Sequence, residues 1–499
     1  MTATTLYSLM LGAAVAAPPA DGKYLVLVDA GPADSYLPAA RQLADLHKAD
    51  VVRFDPAKLD DAFAVLRERR PDYVAFVLPP DKINVDLTHE ILARSTRLDD
   101  DPFVDFEYCF VTGRDGKAAE HFVGQIKSAW ARQYGRKVTL FGSWEGVFPP
   151  APAPPSALKA IKAEGEMHFV RTRDNETART KAARAGLAAC RDKDLLLFFS
   201  HGYPDEMAAC FKAPDLKGWS ASGAVLVNCS CYNGAPGRWF GPGPDGVKDM
   251  GVVRPQDSVC LALLDSGVAA YVAGIDPWHG PLAFQMTGLL FDDGMRLGQA
   301  AKAMHDRLAL AFLPDPIAFE PTIKNPQRFA GEGVSNRRHN GAGMIVYGDP
   351  AFAPFAASAT RLIEGELKPI GTDTCRLELR VGKLIDGAIA EDFILPQSRL
   401  LDYYSVRTAD VLKEASLEIY RVVELPKGAD SAPRLNVVSA KSGKDDIPTK
   451  DVQAVVEKTA RGHRLHVRVP LDVRAYGSVW PMRIAANGLA IDLEGSWRK

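Results

Sequence analysis

Short apolar segments alternate with amphipathic segments in the first part of the chain. Residues 24–29 (YLVLVD), 51–54 (VVRF) and 73–78 (YVAFVL) are continuous apolar runs of strand length. Between them, residues 36–46 and 58–70 place apolar side chains at the spacing of one helix face. Strands that are buried on both faces have such continuous runs, and short strand–helix–strand connections give right-handed crossovers. The pattern therefore predicts a parallel β-sheet that is covered by helices.

Two further strands are predicted at 106–111 (FEYCFV) and 138–142 (VTLFG), before a proline-rich stretch interrupts the pattern. The segment 148–155 (FPPAPAPP) cannot pair inside a sheet because proline has no backbone N–H to donate. We interpret 149–156 as a stiff, extended linker. This linker follows a predicted N-terminal α/β subdomain at 21–148.

A second α/β subdomain, predicted at 157–357, repeats the pattern. Its predicted helices lie at 176–189, 258–265 and 295–310, and its predicted strands at 195–199 (LLLFF), 224–228 (AVLVN), 268–274 (VAAYVAG) and 344–352 (MIVYGDPAF). After about residue 358 the apolar residues recur at every second position, for example in CRLELRV and HRLHVRVPLDV. This alternation is typical of strands with one buried face, so we expect 358–499 to be an immunoglobulin-like β-sandwich.

Composition excludes several classes of function. The 60 Lys and Arg residues nearly balance the 62 Asp and Glu residues, for a formal charge of −2, so no basic surplus favours nucleic acid as a partner. The sequence contains no CxxC or HExxH pattern, and we predict no catalytic metal. Clustered carboxylates at 99–101 (DDD) could bind a structural calcium ion, but we favour a solvated acidic turn.

The N-terminus resembles an export signal. Residues 6–17 (LYSLMLGAAVAA) are apolar and end in small side chains, although no basic residue precedes them. We therefore expect 1–20 to be a signal peptide and the protein to be secreted or periplasmic. No other run approaches the roughly 20 apolar residues of a spanning helix, so we predict no membrane span in the mature chain.

Three strands of the second subdomain end in side chains that can carry chemistry. They are followed by His201 with Gly202, by Cys231, and by the turn from Asp276 to Trp278. Ligands bind outside the carboxyl ends of parallel strands. A cysteine nucleophile needs an imidazole nearby, and the backbone N–H groups of Gly202 and Cys231 could form an oxyanion hole. Each residue alone has a plainer explanation, because most strand-end cysteines are inert and most such histidines are merely solvated.

Two of these strand ends resemble motifs of the gingipain-type cysteine peptidases, whose clan includes the caspases and legumain. LLLFFSHG (195–202) is similar to the family's His motif, and VLVNCSCYNG (225–234) is similar to its Cys motif. The closing YGDPAF (347–352) also resembles the family. The resemblance spans roughly 24–357. It implies an α/β fold class, a caspase- or gingipain-like parallel-sheet sandwich in two subdomains, followed by a C-terminal β-sandwich domain.

The resemblance also implies roles for single residues. Cys231, rather than Cys229, matches the nucleophile of the second motif, and His201 would be the acid/base. Trp278 occupies the turn that walls the pocket for the residue before the scissile bond. With Asp276 at the base of that pocket, Arg or Lys would be favoured there. The alternative is that Asp276 only caps the turn.

We therefore predict a cysteine endopeptidase that hydrolyses peptide or protein substrates through a Cys–His dyad and needs no cofactor. Two features depart from the family pattern: Cys229 precedes the motif, and no propeptide is evident. Glu145 and Asp174 are candidates, by position alone, for an acidic partner of His201. The alternatives are a catalytically inactive, exported binding or assembly protein of the same fold, and a carbohydrate-binding protein that acts through its β-sandwich.

Overall fold

The structure is a computed structural model of the 499-residue chain. The residues that it describes are 22–31, 35–144, 164–172, 174–243, 246–277, 280–291, 293–324, 342–357, 363–371, 374–381, 417–425, 435–459, 462–471 and 488–495. The predicted signal peptide and the predicted linker lie outside these ranges, as do Glu145 and Trp278. No helix in the described ranges has the length and apolar character needed to cross a membrane.

The N-terminal part of the chain alternates strands and helices. Its elements are β1 (Tyr24–Asp29), α1 (Leu37–His47), β2 (Asp50–Phe54), α2 (Leu59–Arg69), β3 (Tyr73–Val77), α3 (Val85–Ser95), β4 (Glu107–Val111) and α4 (Gly116–Trp130). Helices α3 and α4 add to the predicted set. Their N-caps are visible in the sequence, because the side chains of Asn84 and Asp115 accept hydrogen bonds from backbone N–H groups three residues later.

The middle of the chain continues the α/β pattern and adds short antiparallel pieces. Its elements are β5 (Lys137–Trp144), β6 (Glu164–Arg171), α5 (Glu176–Ala189), β7 (Leu195–Phe199), β8 (Gly202–Tyr203), β9 (Glu206–Met207), β10 (Phe211–Lys212), β11 (Val225–Cys229), β12 (Arg238–Gly243), β13 (Gly246–Val252), α6 (Val259–Asp265), β14 (Ala270–Gly274), α7 (Gly280–Phe291), α8 (Leu297–Ala311) and β15 (Met344–Tyr347). The helix predicted at 176–189 is confirmed at both ends.

Ten strands form one sheet in the order β2-β1-β3-β4-β15-β14-β11-β7-β5-β6. Neighbouring strands are parallel except at the centre, where β14 and β15 are antiparallel. The predicted large and mostly parallel sheet is thus confirmed. Alternate residues of β11 face opposite sides: Val225 and Val227 join one hydrophobic core, and Leu226 joins the other. Burial on both faces explains why these strands are continuous apolar runs.

The sheet interleaves the two segments that the sequence pattern separates. Strand β5 precedes the proline-rich stretch but pairs with β7, which follows it. Strand β15, near the end of the second segment, pairs with β4 of the first. The sheet is therefore continuous across both segments: β15 joins the two halves, and the first segment contributes β5 to the half formed by the second.

The C-terminal part of the chain is antiparallel. Its strands are β16 (Ile363–Pro369), β17 (Thr374–Val381), β18 (Leu417–Glu424), β19 (Leu435–Ser442), β20 (Asp445–Asp446), β21 (Gln453–Thr459), β22 (Gly462–Leu471) and β23 (Leu489–Gly495). They form one sheet in the order β16-β17-β23-β19-β20 and a second in the order β18-β22-β21. Both sheets contribute to a single core, in which Leu377 and Ile491 meet Leu465 and Val467. One face of each sheet packs on that core, and this explains why apolar residues recur at every second position of these strands.

Candidate active site

Strand register brings His201 and Cys231 to the same level of the central sheet. Strands β7 and β11 are parallel neighbours, and Phe199 pairs with Cys229 at their ends. The backbone N–H of Ser200 donates to the carbonyl oxygen of Cys229 at 3.4 Å, which continues the ladder. His201 and Cys231 each lie two residues beyond the paired ends. The two residues therefore occupy equivalent positions at the carboxyl edge of adjacent strands, where α/β sheets bind ligands.

The segment around His201, residues 200–208, is a short hairpin that we call the His201 loop. Strands β8 and β9 pair within it, and the N–H of Ala208 donates to the carbonyl oxygen of His201 at 2.8 Å. The hydroxyl of Ser200 donates to the carbonyl oxygen of Ala208 at 2.8 Å and lies 2.5 Å from the hydroxyl of Ser143. These hydrogen bonds stabilise the backbone of the His201 loop, while the His201 side chain is exposed.

The segment around Cys231, residues 230–234, is a tight turn that we call the Cys231 turn. Tyr232 has a φ of +61°, in the left-handed region that bulky residues rarely adopt. Such a conformation costs about 1–3 kcal/mol and persists only where surrounding contacts require it. The left-handed residue reverses the chain directly after Cys231, whose side chain is half-buried at the sheet edge while Tyr232 is buried.

Asn233 ties the Cys231 turn to the His201 loop. Its side-chain amide donates to the carbonyl oxygens of Tyr203 and Glu206, the second at 3.0 Å. Gly202 adds a steric link, because a Cβ atom there would lie 2.8 Å from the carbonyl oxygen of Cys231. The two segments are therefore in direct contact and positioned by each other.

Two tyrosines in strands β14 and β15 donate hydrogen bonds to backbone carbonyl groups of the Cys231 turn. The hydroxyl of Tyr271 in β14 donates to the carbonyl oxygen of Asn233 at 2.9 Å, and the side-chain amide of Asn228 donates to that hydroxyl at 3.0 Å. The hydroxyl of Tyr347 in β15 donates to the carbonyl oxygen of Gly234 at 2.7 Å. Sequence reasoning missed both tyrosines. The available signal was a tyrosine inside an apolar strand, because a buried hydroxyl needs a partner.

The two neighbouring cysteines have different surroundings. Cys229 belongs to the hydrophobic core beneath the sheet, and burial raises the pKa of its thiol well above its usual range, with a further contribution from nearby Cys231. Cys231 is partly accessible at the sheet edge. A thiolate at neutral pH is therefore disfavoured at Cys229, whereas Cys231 can be reached from solvent.

Asp276 and Asp174 lie on different sides of the pair. Asp276 follows β14, which flanks β11 on the side away from β7, and its side chain is almost fully buried at 1% exposure. Asp174 follows β6 and is exposed, and β5 separates β6 from β7. Glu145 and Trp278 lie outside the described residues, so the pocket predicted for Asp276 and Trp278 stays a prediction.

Away from this edge, one buried cluster has the donor atoms of a metal site. Ligand atoms of Asp306, Glu457 and His466 lie within 4.8 Å of one another. However, the ammonium of Lys302 is 2.6 Å from Asp306 and 2.7 Å from Glu457, and His466 is 2.8 Å from Glu457. The Lys302 ammonium already supplies the positive charge that a metal ion would bring to these two carboxylates. We call these four residues the Lys302 network, and it joins α8 to strands β21 and β22 of the antiparallel region.

The acidic turn at 99–101 uses its carboxylates on backbone groups. Asp101 accepts from the N–H groups of Phe103 at 2.9 Å and Lys458 at 3.0 Å, and Asp99 accepts from the N–H of Asp101 at 3.0 Å. These contacts stabilise the turn and attach it to β21. They favour the structural explanation of this acidic stretch.

No protein-family model matches this sequence, and neither does any curated protein.

Proposed function

We propose that this protein is a cysteine peptidase in which Cys231 is the nucleophile and His201 the acid/base. The observation that carries the proposal is the contact between the His201 loop and the Cys231 turn at the carboxyl edge of two adjacent parallel strands. The register of β7 and β11 supports it, because both residues follow the paired ends by the same two positions. The sequence resemblance to the gingipain-type peptidases supports the same pair.

The reaction follows from these two side chains. His201 accepts the thiol proton of Cys231, and the thiolate attacks the carbonyl carbon of the peptide bond. His201 then donates the proton to the leaving amine as the C–N bond breaks, which leaves an acyl-thioester on Cys231. Water attacks the thioester after losing a proton to His201, and the Cys231 thiolate leaves. The N–H groups of Gly202 and Cys231 are the proposed donors to the developing oxyanion.

The test is labelling by a peptidyl acyloxymethyl ketone, followed by mass spectrometry of the modified peptide. We expect the label on Cys231, its loss in both Cys231→Ala and His201→Ala, and its retention in Cys229→Ala. The Cys229→Ala variant is the matched control, because it removes a thiol two residues away. Labelling that disappears in Cys229→Ala but persists in Cys231→Ala would reassign the nucleophile.

The same experiment separates an enzyme from an inactive binding protein of the same fold. If iodoacetamide modifies Cys231 in the folded protein while neither the probe nor any peptide substrate reacts, the proposal is wrong. For the substrate pocket, we propose that Asp276 favours Arg or Lys before the scissile bond. That preference should disappear in Asp276→Asn, and an equal rate for Arg, Lys and uncharged residues in the unmodified protein would leave Asp276 as a turn residue.

A further inference from the structure

The chain leaves the Cys231 turn and enters a two-stranded hairpin that is anchored beside it. Strands β12 and β13 pair from Arg238 with Val252 to Gly243 with Gly246. The guanidinium of Arg238 forms an ion pair with Asp249 across the hairpin. At its base, the N–H of Val253 donates to the carbonyl oxygen of Gly237 at 3.0 Å. The hairpin is therefore closed at its base, shortly after the Cys231 turn from which it extends.

Trp239 on this hairpin connects the two segments of the candidate active site. Its ring lies edge-on to Tyr232, with 5.1 Å between centroids, and edge-on to Tyr203, with 6.3 Å between centroids. Tyr232 directly follows Cys231, and Tyr203 is two residues after His201. The indole therefore packs on one residue from the Cys231 turn and one from the His201 loop.

Gly241 makes room for this arrangement. A Cβ atom at position 241 would lie 2.7 Å from the six-membered ring of Trp239 and 3.1 Å from the Cγ of Met250. The indole and the methionine therefore meet over a residue that has no side chain. Tyr203, Trp239 and Met250 together form what we call the aromatic patch.

The aromatic patch is open to solvent on one side. Tyr203 and Met250 are each 45% exposed, and Val252 on the same hairpin is 61% exposed. Burial of apolar side chains is favourable, so a group of large exposed ones beside a candidate catalytic pair marks a binding surface. With only these few side chains, the surface is small compared with the roughly 800 Å² per partner of a standard protein interface. Its size suits one or two side chains of a ligand.

We propose that the aromatic patch binds an aromatic or large aliphatic side chain of the polypeptide substrate, next to the scissile bond. This inference rests on the proposed peptidase function, and it adds a substrate preference to that function. The occupant follows from the position of the patch, which is continuous with the residues that flank both Cys231 and His201. The thioether of Met250 and the aromatic rings of Tyr203 and half-buried Trp239 suit an aromatic side chain.

The test uses fluorogenic peptides that differ at a single position on either side of the scissile bond, with Phe, Leu, Ser or Asp at that position. At one such position we expect kcat/KM for Phe or Leu to exceed that for Ser by about 10–100-fold. In Trp239→Ala this preference, measured as the ratio of the two kcat/KM values, should fall to about threefold or less. Trp239→Phe should keep most of the preference, because it retains an aromatic ring.

Ile370→Ser is the matched control, since Ile370 is 49% exposed in the C-terminal region. It should leave the preference unchanged. Thermal unfolding of each variant confirms that the fold is retained. Hydrolysis with no preference at any position, or a preference that Trp239→Ala retains, would overturn the inference and leave the peptidase function standing. If the unmodified protein hydrolyses none of the peptides, both proposals are wrong.

A second copy of the chain is the competing occupant. Sedimentation velocity at several protein concentrations tests it directly. We expect the same sedimentation coefficient for the unmodified protein and Trp239→Ala. A concentration-dependent dimer that Trp239→Ala abolishes would assign the patch to self-association instead.

Discussion

Gly202 lies directly against the carbonyl oxygen of Cys231. A Cβ atom at position 202 would be 2.8 Å from that oxygen, 2.8 Å from the Cβ of Ser230 and 2.9 Å from the side-chain nitrogen of Asn233. Two of these three neighbours are backbone or Cβ atoms, so rotation of a side chain cannot relieve the contact. Any side chain at this position must displace either the His201 loop or the Cys231 turn.

We therefore expect Gly202→Ala to lower kcat/KM by about 100-fold or more, because a shift of 1 Å in a catalytic pair can cost that much. The overpacked contact should also lower the free energy of unfolding by about 1–3 kcal/mol. Peptide hydrolysis and urea unfolding measure the two effects. Gly288→Ala is the control, since nothing lies within 4 Å of a Cβ atom at that position in α7. Full activity in Gly202→Ala would show that the contact does not position the pair.

Asn233→Asp should separate the donor and acceptor roles of Asn233. The carboxylate keeps an oxygen for the amide of Asn228, at 3.2 Å from the present oxygen, but it cannot donate to Tyr203 and Glu206. The full cost of leaving a buried carbonyl group without a donor is about 1–3 kcal/mol, and these two carbonyl groups are only partly buried, so we expect a loss of about 1–3 kcal/mol in total in urea unfolding. Asn175→Asp is the matched control, because Asn175 is exposed and its side chain is an acceptor, from the N–H of Ala178 at 2.9 Å, a role that a carboxylate keeps. Equal stability of Asn233→Asp and the unmodified protein would contradict this role.

The Lys302 network should make the attachment of the antiparallel region sensitive to one charge. Lys302→Met leaves Asp306 and Glu457 buried without their ammonium partner, and breaking such a buried pair costs about 3–5 kcal/mol. Lys441→Met is the control, because Lys441 and Asp446 are exposed and 3.5 Å apart, and such a pair contributes about 1 kcal/mol or less. Denaturant unfolding compares the two. Similar small losses for both variants would show that the network is not energetically important.

Two half-buried carboxyl groups, Asp101 in the acidic turn and Asp105 just after it, should make the protein less stable as pH rises. Burial raises the pKa of Asp105 to about 8, assisted by the nearby charge of Asp99, and burial raises the pKa of Asp101 to about 7. Both lie above the ordinary value of about 4, so the folded state holds these protons more tightly than the unfolded state does. Their stabilising contribution is complete below about pH 4 and is lost as pH rises towards 8.

The unfolding free energy should therefore decrease between pH 5 and pH 8, by at most about 1.4 kcal/mol per pH unit for each proton. Asp105→Asn should reduce this slope, because the amide does not ionise. Asp100→Asn is the control, because Asp100 is an exposed residue of the acidic turn. It tests whether the removal of any one negative charge is enough to reduce the slope. An Asp105→Asn variant with the slope of the unmodified protein would exclude Asp105 as its source.

Much of the local structure could be predicted from the sequence. The strands before His201 and Cys231 are apolar runs because they are buried on both faces, and helix α5 lies at the predicted residues 176–189. The hairpin at 238–252 was not predicted. Its strands are rich in glycine and lack both a continuous apolar run and a regular alternation, although Phe240 and Val247 are buried in the core of the central sheet.

The sequence by itself determined the strands that end just before His201 and Cys231 and several of the helices that follow such strands, because periodicity and capping act over a few residues. Only the tertiary structure decided that β5 joins β7, that β15 enters the sheet antiparallel to β14, and that Lys302 meets Glu457. These pairings join residues far apart in the chain. Which distant partner a segment finds depends on packing over the whole molecule, and no local pattern of residues specifies it.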